Sequence, residues 1–94
     1  MKLDNQQKKQ LRALAHPLKP VIIVGKQGIS SSVSKETQRA LHDHELIKVK
    51  FPAEEPLQEL AQELAQDCQA DVIATQGRIA ILYKAHPKKP RIQL

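Results

Sequence analysis

The sequence predicts an α/β domain, an α+β sandwich in which a leading helix is followed by strand, helix, strand, helix, strand and strand, the helices packing on a four-stranded mixed sheet. Three observations predict it. Three segments carry apolar residues at three- and four-residue spacing; two others are short runs rich in branched apolar residues; and near the end two such runs are hinged at "QG". A strand-helix-strand unit within one sheet closes as a right-handed parallel crossover, and a terminal hairpin adds an antiparallel pair, so the sheet is mixed.

Each element has its own signal. Asp4 with Gln7 three residues on resembles a capping box, and Leu11, Leu14, Ala15 and Leu18 form the apolar side of a first helix that ends near His16 and Pro17. Its opposite side shows Lys8, Lys9, Arg12 and His16. "PVIIV" (20–24) is continuously apolar, the mark of a buried strand. A second helix starts among Ser30, Ser31 and Ser32, any of which can cap it, and turns Ile29, Val33, Thr37, Ala40, Leu41 and His44 toward the sheet. "LIKVKF" (46–51) alternates, with Ile47, Val49 and Phe51 on one face and Leu46, Lys48 and Lys50 on the other: a half-buried strand whose lysines point outward. The helix opening near Pro56 buries Leu57, Leu60, Ala61, Leu64, Ala65 and Cys68, and its other side carries Glu59, Glu63 and Asp67. "DVIATQGRIAILYK" (71–84) is a hairpin hinged at Gln76 and Gly77. The tail, about 84–94, is basic and broken by prolines, and mobility is expected of it.

The 94 residues suit one domain, 1–94, with one modest core. No apolar run approaches the roughly 20 residues that span a bilayer, and "MKLDNQQKK" lacks the apolar stretch of a secretory signal, so a cytoplasmic monomer is expected. The single cysteine, Cys68, cannot form an internal disulfide, and no metal-type cysteine spacing exists. Charge is more informative. Fifteen Lys and Arg against ten Asp and Glu give +5, which favours a polyanionic partner such as nucleic acid. The bases Lys2, Lys8, Lys9, Arg12, Lys19 and Lys26 are opposed only by Asp4, whereas from Glu54 to Asp71 six acids occur without a Lys or Arg. A basic side and an acidic side follow.

Two of the three glycines enclose a lysine in "GKQG", Gly25, Lys26, Gln27 and Gly28, between the first strand and the second helix. There the unsatisfied N–H groups and dipole of a helix start favour an anion, Lys26 adds a cation, and Ser30 and Ser31 can donate to phosphate oxygens. Neither the Walker spacing nor the dinucleotide G-x-G-x-x-G is present. A tight turn requiring positive φ explains the same glycines without a ligand.

The strings "LRALAHPLKP", "VGKQG" and "HELIKVKF", in this order and spacing, closely resemble the CRM domain family (chloroplast RNA splicing and ribosome maturation), in particular its small bacterial members of the YhbY type. The resemblance runs from about Gln7 to Tyr83. It implies a fold like the C-terminal domain of translation initiation factor three, RNA binding through the glycine loop and adjoining basic surface, and association with precursors of the large ribosomal subunit. Carried over by position, the family's G-x-x-G loop falls on Gly25 to Gly28, its basic first-helix pattern on Arg12, His16 and Lys19, and its strand lysines on Lys48 and Lys50. Two departures accompany it. The loop is like that of KH domains, where G-x-x-G clamps backbone nucleotides, yet here it joins a strand to a helix instead of two helices. The family's glycine after the third helix is replaced around Cys68 and Gln69, which bears on that helix's cap.

Phe51 and Tyr83 are the only aromatics besides histidine, so base stacking on an aromatic platform is scarce and affinity must come mostly from phosphates. Candidates for catalysis are thin. Cys68 continues an apolar stripe, which makes a structural thiol the better reading than a nucleophile paired with His16. His42 and His44, two residues apart, point to different helix faces, and no acids pair in a plausible site. The reading is a non-enzymatic RNA-binding domain, without cofactor, metal, membrane or small-molecule substrate, that binds ribosomal RNA precursor in pre-large-subunit particles. The alternative is a protein-binding adaptor that uses its acidic third helix.

Overall fold

In the computed structural model, which describes residues 3–94, the order is α1 (Asn5–Ala15), β1 (Ile22–Ile23), α2 (Ser31–His44), β2 (Leu46–Lys50), α3 (Leu57–Cys68), β3 (Asp71–Gln76) and β4 (Ile79–Tyr83). Lys2 of the N-terminal basic cluster lies outside these residues. The sheet order is β1-β2-β4-β3, with β1 parallel to β2 and the other pairs antiparallel. This is the expected mixed sheet of three helices and four strands. The capping box is present, with Asp4 Oδ1 accepting from the Gln7 amide at 2.7 Å and Gln7 Oε1 from the Asp4 amide at 3.0 Å.

Each sheet face has its own core. α2 and α3 cover the first face, where Ile22, Val24, Ile47, Val49, Phe51, Ala80 and Leu82 meet Leu41, Ala61, Leu64, Ala65 and Cys68. Cys68 is buried, its Sγ 3.6 Å from the Ser34 carbonyl, and burial raises its thiol pKa, so it belongs to this core. On the second face a smaller cluster joins Leu11 and Ala15 of α1 to Leu46, Ile73, Ile81 and Tyr83. Leu46 therefore does not stand in solvent with the two lysines; α1 covers it.

Directly paired residues in a sheet point to one face, and the register divides the second face into three rows. Leu46, Tyr83 and Asp71 form one, Lys48, Ile81 and Ala74 the next, and Ile23, Lys50, Ile79 and Gln76 the last. The core under α1 takes Leu46 and Tyr83 from the first and Ile81 from the second, and no residue from the third. Ile23 is 73% exposed as a result.

Several elements differ from their sequence patterns. "PVIIV" forms an edge strand of two residues, extended by bonds from the Val21 amide to the Lys48 carbonyl (3.0 Å) and the Val24 amide to the Lys50 carbonyl (2.8 Å). Ile22 and Val24 are buried while Val21 and Ile23 are exposed, because α2 and α3 cover one face and nothing covers the other at this edge. Leu14 and Leu18 are largely exposed, since α1 stops at Ala15 and turns only Leu11 and Ala15 into the core. His44 is exposed at the end of α2. The expected cap disturbance at the end of α3 is real: Gln69 sits at φ 57°, ψ 41°, the left-handed conformation that glycine adopts without cost.

The tail is the largest difference. It docks, through Glu45. This residue caps α2 at φ 65°, donates its amide to the Leu41 carbonyl (2.8 Å) and is fully buried. Its carboxylate accepts from the amides of His86 (2.6 Å), Arg91 (2.7 Å) and Ile92 (3.0 Å). Ile92 packs on the second core, and Gln10 Nε2 donates to the Gln93 carbonyl at 2.8 Å. Burial alone would raise the Glu45 pKa; the three amides and the Arg91 charge outweigh it and hold the pKa below the ordinary glutamate value.

Two predictions follow from these caps. Gln69→Gly relieves the left-handed strain and is expected to raise stability by about 0.5–1 kcal/mol in urea denaturation. Glu45, with a lowered folded-state pKa, contributes stability that is complete above its unfolded value of about 4.3 and is lost as pH falls through the folded value. Acidification should therefore release the amides of His86, Arg91 and Ile92 to hydrogen exchange, and Glu45→Ala should do so at neutral pH, with a loss of roughly 2 kcal/mol.

Candidate nucleic-acid interface

The chain leaves β1 through Gly25–Gly28, where the Gly28 amide donates to the Gly25 carbonyl at 3.1 Å. Gly28 has φ 77° and is glycine for a conformational reason. Gly25 is not in the positive-φ region, and a Cβ there would meet nothing within 4 Å. The turn thus accounts for one glycine and leaves the other without a reason inside the fold. Lys26 and Gln27 are exposed at the tip. The loop joins strand to helix, as the sequence indicates.

α2 begins at once. Ser30 is its N-cap, the hydroxyl accepting from the Val33 amide at 3.2 Å while the Ser30 carbonyl accepts from Ser34 at 3.0 Å. The Ser30 hydroxyl is therefore engaged, Ser31 is exposed in the first turn, and no acid stands in that turn to offset the helix dipole.

On the second sheet face the basic residues gather from distant parts of the chain. Arg12 and His16 of the α1 side, Lys48 of β2, Ile81 of β4 and Ala74, Thr75 and Gln76 of β3 line a groove of about 310 Å³ with no acid in its walls. Lys48 is more than a free charge. Its Nζ donates to the carbonyls of His16 (3.2 Å) and Leu18 (3.0 Å), tying the chain after α1 to the sheet while one N–H and the positive charge remain available. Lys50 lies in the open row beside Ile23 and is exposed. Lys19 lines a separate apolar pocket with Leu14, Leu18 and Val21. Lys26 lines a third hollow with Pro52, Ala53, Glu54 and Glu55, so acids stand near the loop's cation.

The residues indicated by the sequence therefore fall into a groove set (Arg12, His16, Lys48), an open-row residue (Lys50), a loop set (Gly25 to Gly28, Ser30, Ser31) and Lys19 at a pocket rim. Ile23 and Gln76 belong to the same surface and escape a sequence reading. Ile23 is hidden by the unbroken apolar run around it, and Gln76 by the hairpin register that puts it in the row of Lys50 and Ile79. Thr75, paired with Ala80, turns its hydroxyl to the other face, where Gln58 of α3 donates to it at 2.8 Å. Phe51 and Tyr83 are both buried, so neither ring is open to a base. Among the described residues no group of three metal-ligating side chains converges.

The description "CRS1 / YhbY (CRM) domain" matches residues 3–84. The chain belongs to this CRM domain family. A Pseudomonas aeruginosa protein named as a probable RNA-binding protein is 41% identical over 90 residues, covering 94% of this chain and 86% of that one. A Haemophilus influenzae protein named as an RNA-binding protein is 36% identical over 94 residues, covering 98% and 94%. The solution structure of a Staphylococcus aureus protein, described as an RNA-binding candidate, superposes with a TM-score of 0.85 at 29% identity and 99% coverage of both chains.

The two strand lysines of this CRM domain are not equivalent. Lys50→Glu is expected to leave the thermal melt within about 0.5 kcal/mol of native, as an exposed substitution should. Lys48→Glu removes the donor to two carbonyls and should cost about 1 kcal/mol. Equal melts for the two variants would show that the bonds to His16 and Leu18 contribute nothing.

Proposed function

We propose that this CRM-domain protein binds RNA mainly through phosphates, without catalysis, and that it serves ribosome assembly by holding precursor ribosomal RNA of the large subunit. The RNA backbone lies along the Arg12–His16–Lys48 groove, crosses the open row at Lys50 and reaches the GKQG loop. The observation that carries this is the convergence of cations from α1 and β2 on a groove with no acid in its walls. The names of the relatives support the RNA partner, and Gly25, free of any internal demand for glycine, supports close approach of a backbone at the loop. The two side-chain rings being buried, affinity rests on charge, so shape and backbone are recognised more than base identity. The protein acts as a cytoplasmic monomer.

Crosslinking in cells followed by sequencing of the bound RNA tests the partner. Precursor of the large-subunit RNA is expected to dominate; a different dominant RNA overturns the assembly role, and an absence of crosslinks overturns RNA binding.

In vitro, log affinity should fall linearly with log salt. Lys26→Glu with Gln27→Asp, which leaves both glycines in place, should lower affinity sharply at a near-native melt, and neutralising Lys26 alone should reduce the slope by about one. The glycines separate hinge from cradle. Gly28→Ala should cost about 1 kcal/mol of stability through its positive φ, whereas Gly25→Ala should leave stability unchanged and weaken RNA binding. Native RNA affinity in Gly25→Ala would remove the loop from the interface.

A further inference from the structure

Three of the exposed large apolar side chains gather in one place, apart from Ile23 and Leu94. Leu14, Leu18 and Val21 line one pocket, whose walls Leu46, Ile47 and Ile92 complete; its volume is about 440 Å³. It lies where the end of α1, the β1 edge and the docked tail meet. Its polar lining is Lys19 and His44, with no carboxylate. Exposed apolar surface concentrated in this way marks a binding site.

The pocket is a neighbour of the basic groove. The chain from His16 to Lys19 separates them: His16 lines the groove, Leu18 and Lys19 line the pocket, and the Lys48 ammonium fixes this segment through the carbonyls of His16 and Leu18. A strand that follows Arg12 and His16 with its phosphates reaches Lys19 next, with an aliphatic recess beside it. A nucleobase has apolar faces and needs a dry surface once unstacked, and the buried Phe51 and Tyr83 offer it none. A carboxylate-free rim suits the phosphates flanking such a base.

We infer that the pocket formed by Leu14, Leu18, Val21 and Ile92 beside Lys19 receives an unstacked base of single-stranded RNA whose backbone follows the Arg12–His16 groove. This rests on the RNA-binding reading above and adds a contact to bases that the phosphate groove does not supply. Single-stranded segments should consequently be preferred over continuous duplex, whose bases are stacked and paired.

The test uses the full chain with a ten-nucleotide single-stranded RNA of mixed sequence and the same ribose-phosphate chain lacking its bases. Methyl resonances of Leu14, Leu18, Val21 and Ile92 are expected to shift with the first ligand and not with the second. Leu18→Gln with Val21→Gln, at exposed positions outside both cores, should weaken the base-bearing RNA by roughly tenfold, in the range of one stacked base. It should leave affinity for the abasic chain and the salt slope unchanged. Native affinity of this variant for the base-bearing RNA overturns the inference, leaving the phosphate reading intact; so do pocket methyls that shift with protein concentration alone, which would assign the recess to a second copy. Failure of both ligands to bind the native protein overturns the RNA reading together with the pocket.

Discussion

An eleven-residue helix is only about 16 Å long, and among the described residues it is the only helix on the second face of a four-stranded sheet. This shortage of cover shapes most of what is distinctive in the molecule. Where Leu11 and Ala15 reach, the row of Leu46 and Tyr83 is dry. One row further, Lys48 stands at the margin, near enough to the end of α1 to donate to the carbonyls of His16 and Leu18 just after it, with one N–H left over. A further row away, Lys50 and Ile23 are open. The surface considered for RNA is thus the uncovered part of a sheet, bordered by the basic side of the helix that covers the remainder.

A helix this short gains little from its own propensity and depends on tertiary anchors. The capping box closes its start, the Lys48 ammonium fixes the turn after it, and the tail supports it from outside through Ile92 and the bond between Gln10 and Gln93. Glu45 is the origin of that last support. Its buried carboxylate gathers three amides of the tail, and its carbonyl accepts from Lys84 at 2.9 Å, so the start of β2, the end of β4 and the C-terminal segment share one residue. A glutamate at positive φ is a locally unfavourable choice for a helix cap. The hydrogen bonds it collects explain why it is tolerated.

The parts of the fold that were legible in the sequence are those with local causes. The stripe of α3 through Cys68, the Asp4–Gln7 cap, the start of α2 at Ser30 and the hairpin around Gly77 depend on residues within a turn or two of one another. Glu45 could not be read this way, because its partners lie 41 to 47 positions along the chain and a tail of prolines and lysines shows no apolar period. Lys48 was legible as an outward lysine, but its attachment to carbonyls 30 and 32 residues earlier was not. "PVIIV" misleads for a related reason: an unbroken apolar run does not disclose that its strand is at an edge with one side bare. Of the candidate site, residue types and loop were legible, whereas the grouping of Arg12 and His16 with Lys48 required the sheet register.

The loop and the groove then take different physical parts. Lys26 shares its hollow with Glu54 and Glu55, which weaken the potential that a phosphate meets there, while the groove of Arg12, His16 and Lys48 has no acid in its walls. Long-range attraction is accordingly strongest at the groove. The loop's advantage is of another kind. A backbone without a Cβ at Gly25, open space around it, and a helix start with no acid in its first turn permit short contacts that charge alone does not provide. In the interface proposed above, attraction at the groove and close contact at the loop would divide binding between a term that salt screens and a term that depends on shape. That division is why reversing the loop's charge and adding a single methyl at Gly25 probe different quantities, although both act on the same four residues.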